Sequence, residues 1–83
     1  SKDKLQLPDS DVDAALSRLV DAHPEAEVNA IDGVKFDLPE GWVHLRKSNT
    51  EPIIRVYAEA ESEQAASALG DRFKQELLEL LKH

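Results

Sequence analysis

The sequence contains no cysteine, which excludes disulfides and thiolate chemistry, and its three histidines, His23, His44 and His83, show no metal-ligand spacing. A structural zinc site is therefore not expected. Long apolar runs are also missing, since the longest stretches are only a few residues and no membrane segment can be drawn. Positive charge is scarce: 10 Lys and Arg stand against 17 Asp and Glu, a net charge of −7. That field opposes long-range attraction to nucleic acid or to an anionic membrane, so an anionic ligand would need a local basic pocket. No secretory signal is visible in the polar start Ser1-Lys2-Asp3-Lys4, and a cytoplasmic location is the expectation. The chain lacks an initiator methionine and reads as a fragment of a longer protein. Its 83 residues suffice for one domain with a modest core and leave little room for a deep two-walled cleft.

What is present reads as helix, four strands, helix. Residues 1–8 carry only Leu5 and Leu7 as a pattern and are expected to be the remnant of an interdomain linker, with the domain proper over residues 9–83. Asp9 or Ser10 can cap a helix whose apolar positions Val12, Leu16, Leu19 and Val20 form one stripe, with Ala15 beside them. Pro24 ends that helix near His23. Short segments with period two follow. Asp32-Gly33 marks a hairpin between Val28–Ile31 and Val34–Leu38, and Pro39-Glu40-Gly41 a second turn into Trp42–Arg46. A fourth strand runs from Ile53 to about Ala60. Ser62 then caps a long helix with Ala66, Leu69, Phe73, Leu77 and Leu80 on one face; Gly70 costs about 1 kcal/mol relative to Ala and suggests a close helix-to-sheet approach. The expected fold is α+β, a two-layer sandwich with a mainly antiparallel four-stranded sheet and both helices on one face. Alternation sends Ile54, Val56 and Ala58 to the core and Ile53, Arg55 and Tyr57 to the uncovered face. Val43 and Leu45 likewise oppose His44 and Arg46, while the facing of Trp42 depends on the length of the preceding turn and stays open.

Between the third and fourth strands lies Arg46-Lys47-Ser48-Asn49-Thr50-Glu51-Pro52, followed by Ile53-Ile54-Arg55. Three short polar side chains stand in a row between cations. Ser and Thr hydroxyls and an Asn amide can each donate to a phosphate oxygen, and turn amides can converge on the same anion. Arginine adds a bidentate fork with permanent charge. Glu51 and Pro52 are assigned to shaping the loop, because a carboxylate aimed at phosphate would repel it. The same residue types also make an ordinary turn, and arginines on an acidic chain are commonly plain surface charges. No nucleophile with a paired base is identifiable, so no catalytic residue is assigned.

This string, continued by Arg55-Val56-Tyr57-Ala58-Glu59-Ala60, resembles the phosphate-binding loop and following strand of the C-terminal domain of the α-D-phosphohexomutases, the phosphomannomutase/phosphoglucomutase family. Ile31-Asp32-Gly33-Val34, Gly41-Trp42-Val43 and the closing helix extend the resemblance from Pro8 onward. It implies a four-domain enzyme that interconverts hexose 1-phosphates and 6-phosphates through a phosphoserine, with that serine and the Mg2+ site in the other domains. It assigns to this piece the grip on the non-reacting substrate phosphate, by Arg46, Ser48, Asn49 and Thr50 with Arg55 as helper. Lys47 points away from Arg46 and is not included. No cofactor is expected within this domain, which alone would not be an enzyme. Its partners would be a hexose phosphate and the other domains of the same chain, with no nucleic acid and no membrane. Asn49 resembles the phosphomannomutase/phosphoglucomutase branch, where phosphoglucosamine mutases commonly have glycine. Two alternatives stay open: the same domain from a phosphoglucosamine mutase, and a stand-alone protein-interaction module with a relict phosphate loop. Tyr57 and Trp42 fit either packing on neighbouring domains or ordinary exposure.

Overall fold

A computed structural model describes residues 2–6, 12–30, 33–48 and 53–81. Its elements are β1 (Lys2–Gln6), α1 (Val12–Asp21), β2 (Glu27–Asn29), β3 (Val34–Leu38), β4 (Gly41–Lys47), β5 (Ile53–Ala60) and α2 (Glu63–Leu81). The five strands form one antiparallel sheet in the order β1-β5-β4-β3-β2. The two-layer α+β sandwich is as expected, but the sheet has five strands where four were read. The additional strand comes from residues 2–6, which were assigned to a linker. Leu5 lies opposite Ile54 and packs on the core, while Asp3 turns to the same side and Lys2 and Lys4 to the other, a strand's period of two. The boundary expected at residues 8 and 9, and the cap at Asp9 or Ser10, lie outside the described residues.

Every second residue of the sheet turns toward the helices. Phe36, Val43, Leu45, Ile54, Val56 and Ala58 meet Leu16 and Leu19 of α1 and Leu69, Phe73 and Leu77 of α2 in one core. Fully burying each such side chain contributes about 1.5–3 kcal/mol. Ser62 caps α2 as expected: its hydroxyl accepts the Ala65 amide at 3.1 Å, and the Ala66 amide reaches the Ser62 carbonyl at 2.9 Å. Ala66, Leu69, Phe73 and Leu77 are buried along one stripe of that helix, with Leu80 partly so. Among the described residues no helix is long and apolar enough to cross a membrane.

The connection after α1 carries the buried polar group of the described core, His23. Its ring stacks on Phe73 at 4.6 Å between centroids and meets Phe36 edge-on at 5.8 Å. Nδ1 lies 2.8 Å from a Glu25 carboxylate oxygen and Nε2 lies 2.6 Å from one of Glu76. A neutral imidazole donates from one nitrogen only, so the protonated ring is the form that satisfies both carboxylates. Burial works against that charge, but the bonds to Glu25 and Glu76 outweigh it and raise the His23 pKa. The same pairing lowers the Glu25 pKa.

Two turns set the facing of the sheet. Leu38 pairs with Gly41, leaving Pro39 and Glu40 as a two-residue turn, so Trp42 lies opposite Asp37 and Glu59 on the uncovered face. Gly41 has φ 155°, and a Cβ there would sit 2.1 Å from the Glu59 carbonyl oxygen, so glycine is required. The β2–β3 hairpin forms, with Asn29 opposite Lys35 as its last described pair; its expected tip at Asp32 lies outside the described residues.

Candidate phosphate site

The expected loop hangs from the end of the β4–β5 hairpin. Beyond the last strand pair, Lys47 with Ile54, the Ser48 amide donates to the Ile53 carbonyl at 3.1 Å. That bond extends the ladder by one step and holds the root of the loop. It also commits the Ser48 amide to the hairpin, so Ser48 can serve a ligand through its hydroxyl rather than its backbone. Asn49, Thr50, Glu51 and Pro52 lie outside the described residues.

Arg46 and Arg55 stand directly opposite each other on adjacent strands, both exposed and both on the face away from the helices. Like charges directly opposite each other disfavour a sheet unless counter-charge lies close by. Lys47, one residue on, turns to the helical side and lies 3.6 Å from Asp13 of α1. Its side chain thus points away from that of Arg46, as the alternation implied. Gly33 (φ 76°) brings the β2–β3 connection against the root of Arg46: a Cβ at Gly33 would lie 2.4 Å from the Leu45 carbonyl oxygen and 2.9 Å from the Arg46 Cγ. The stem of Arg46 is thus set from beside by a second turn.

Charge on the uncovered face is divided along the strands. The row nearest the loop joins Gln6 and Ile53 across β1 and β5, and Ser48 follows on from β4. The second row is Lys4, Arg55 and Arg46, and the third is Lys2, Tyr57, His44 and Lys35. Among the described residues none of these three rows contains a carboxylate. The fourth, by contrast, joins Glu59, Trp42, Asp37 and Glu27. Five of the chain's ten Lys and Arg (Lys2, Lys4, Lys35, Arg46 and Arg55) therefore share one face, with the Lys35 ammonium drawn toward the far end, 3.8 Å from Asp37. An open hollow at the far end of the sheet is lined by Asp37, Glu40 and Glu59 beside Trp42, and its carboxylates would repel a phosphate. Lys35 Nζ sits 5.0 Å from the centre of the Trp42 ring, a cation–π contact.

The sequence reading identified Arg46, Ser48 and Arg55, which the hairpin brings together, and passed over Lys2 and Lys4. Their signal was present as Lys2-Asp3-Lys4-Leu5-Gln6, alternating lysines with the residues that face α2. Asp3 confirms the alternation by pairing with Lys74 of that helix. Among the described residues no three His, Asp or Glu side chains converge as a metal site.

Comparison with known proteins agrees with this geometry. The family described as phosphoglucomutase/phosphomannomutase, C-terminal domain, matches residues 4–76, a span that starts within β1. A probable phosphoglucosamine mutase of Methanopyrus kandleri is 46% identical over 57 residues, covering 69% of this chain and 12% of that protein. A probable phosphoglucosamine mutase of Methanothermobacter thermautotrophicus is 38% identical over 77 residues, covering 86% of this chain and 17% of its own length. A phosphomannomutase/phosphoglucomutase of Pseudomonas putida is 39% identical over 54 residues, covering 65% and 12%. The chain spans less than a fifth of each of these relatives. A five-stranded sheet ending in this arginine-flanked hairpin is what the matched region folds into, and the chain belongs to the phosphoglucomutase/phosphomannomutase C-terminal domain family.

Proposed function

We propose that this chain is the part of a hexose-phosphate mutase that grips the substrate's non-reacting phosphate. The observation that carries the reading is the pair Arg46 and Arg55, directly opposite each other on adjacent strands at the root of the Ser48–Thr50 segment. Arg46 and Arg55 supply counter-charge, and Ser48, Asn49 and Thr50 supply hydroxyl and amide donors. Glu51 and Pro52 hold the turn.

Phosphoryl transfer is governed by positioning and charge stabilisation, so holding the remote phosphate aligns the reacting oxygen at the other end of the sugar. Binding energy from a group that does not react is thereby used at the one that does. A cradle that reads only phosphate accepts either end of the sugar, as an exchange between 1- and 6-phosphates requires. In this reading the chain does this without chemistry of its own, and the phosphorylated serine and the Mg2+ belong to the remainder of the enzyme. The protein would act in the cytoplasm.

Inorganic phosphate or a hexose phosphate at millimolar concentration should shift the amide resonances of Arg46 and Ser48 to Glu51 and little else. Shifts centred on the Trp42 end of the sheet would refute the reading and favour a protein-interaction module. The names of the relatives in Methanopyrus and Methanothermobacter favour a second reading of the sugar, glucosamine phosphate, over the hexose suggested by Asn49. Comparing kcat/KM of the intact enzyme for glucosamine phosphate and for mannose and glucose phosphates decides between them.

A further inference from the structure

We propose that His23 works as a proton-operated clasp on the edge strand β2: its imidazolium ties the connection before β2 to α2, and loss of the proton lets β2 open from β3. None of the residues involved belongs to the β4–β5 hairpin, so the clasp stands or falls independently of the phosphate reading.

β2 is three residues long, all of them exposed, and none of its side chains belongs to the core cluster. What fixes it among the described residues is its ladder to β3, through the pairs Glu27–Asp37, Val28–Phe36 and Asn29–Lys35, and the connection that delivers it from α1. That connection is anchored at His23. The His23 amide donates to the Val20 carbonyl at 3.1 Å, its carbonyl accepts the Ala26 amide at 3.1 Å, and its ring reaches Glu25 and Glu76 at once. The ring thus bridges the connection to α2.

The two carboxylates are not equivalent. The Glu76 side chain is 35% exposed and its second oxygen lies 3.5 Å from Arg72 Nε, whereas the Glu25 side chain is 51% exposed and can be rehydrated where it stands. A ring that has lost its proton donates from one nitrogen only, so it keeps the less solvated Glu76 and turns a lone pair toward Glu25, which is released to water. Release of Glu25 removes the side-chain part of the anchor, and a short strand without core side chains has little else to oppose opening. The charges around the ring leave this balance to the two glutamates. Arg72 is shared with Glu40 of the β3–β4 turn at 3.7 Å, and Arg18 and Asp21, the nearest charged residues of α1 in sequence, are exposed. Glu27 and Asp37 pair on the uncovered face of the sheet, while β3 and α2 meet the ring with Phe36 and Phe73. Burial opposes the imidazolium, but its bonds to Glu25 and Glu76 raise the His23 pKa above 6.5, so the clasp is closed below that value and opens as pH rises through the folded one. Glu25, whose pKa is lowered by the bond to His23, stays ionised throughout.

The test is solvent-exchange NMR on the 83-residue chain, reading amide protection in β2 from pH 6 to pH 9 after correction for intrinsic exchange, with the His23 ring protons followed in the same samples. Protection in β2 should fall about two- to five-fold with the midpoint of the His23 titration, as expected for loss of one partly exposed ionic contact, while β4 and β5 change less than two-fold. Glu25→Ala leaves Phe36 and Phe73 in place and should bring β2 at pH 6 down to the protection seen at pH 9, with no further dependence on His23. If the ring does not titrate in this range, or titrates while β2 protection stays flat, the clasp is refuted. If β4 and β5 lose as much protection as β2, the proton acts on the whole fold and the edge is not its target. If Glu25→Ala behaves as the unaltered chain, the tie does not run through Glu25 and the inference fails.

Discussion

His23 is held by a carboxylate on each ring nitrogen and by a phenyl ring on its face, an arrangement that only the imidazolium satisfies in full. Its folded pKa is raised, so the stabilisation is complete below the ordinary value of about 6.5 and fades as pH rises through the folded value. Glu25, whose pKa is lowered, works in the opposite sense: its contribution is present above the usual carboxylate value and is lost as pH falls through the lowered one. Arg72 joins the cluster from α2, with its guanidinium 3.5 Å from Glu76 and 5.4 Å from the centre of the Phe73 ring. Denaturation midpoints measured across pH should therefore peak between the two titrations and decline on the alkaline side. Glu76→Gln should cost about 1–3 kcal/mol near pH 6 and bring the His23 titration, followed by ring-proton NMR, back toward its ordinary value. A midpoint that does not change between pH 6 and 8 would show that the imidazolium is not the stabilising form. This cluster was not legible in advance, because Glu76 stands 53 residues from His23 and nothing local marks the pair.

At the scale of elements, the glycines separate into those the backbone requires and one it does not. Gly41→Ala would force a Cβ against the Glu59 carbonyl oxygen at 2.1 Å and should cost about 2 kcal/mol or more in a urea titration. Gly70 lies within α2, and a Cβ there would meet Ala58 Cβ at 3.5 Å and Val56 Cγ1 at 3.7 Å, ordinary contact distances. Gly70→Ala should accordingly raise stability by about 0.5–1 kcal/mol through helix propensity, because the approach of helix to sheet that Gly70 suggested leaves room for a Cβ. Loss of stability in that variant would show tighter packing than the distances indicate. The strongest patterns were the most legible elements. The bounds of β5 and α2 were read almost to the residue, since one alternates from Ile54 onward and the other repeats over nineteen residues; Ile53, expected on the uncovered face, is instead buried. β1 was missed because five residues with two lysines and an aspartate look polar until β5 supplies the partner that sorts them by face. Trp42 could not be placed until the Pro39-Glu40 turn fixed the register.

For the whole molecule, the sheet's uncovered face behaves as a charged plate, cationic toward the loop and anionic toward Trp42. Phosphate affinity should fall as salt rises, because these exposed charges are screened over about 10 Å at 0.1 M ionic strength. An affinity insensitive to salt would mean that hydroxyl and amide donors, rather than the arginines, dominate. In the intact enzyme, Arg46→Ala should lower kcat/KM at least ten-fold, with an unchanged value removing Arg46 from the grip. The proposed site was legible as far as its residue types, because a run of short donors between arginines is chemically specific. The arginines' direct opposition depends on strand register, which only the folded sheet displays.

The position of β1 has a consequence for how the molecule avoids its own kind. β5 is eight residues long and rich in Ile and Val, and with β1 absent its backbone amides and carbonyls would form an unpaired, adhesive border. β1 closes that border and presents its own two lysines outward, while the opposite border, β2, is only three residues long. A chain beginning after residue 6 should therefore associate into higher-order species as concentration rises, detectable by light scattering, whereas the present chain should stay monomeric under the same conditions. The strand that the sequence disguised as a tether is thus also a guard against strand-to-strand polymerisation.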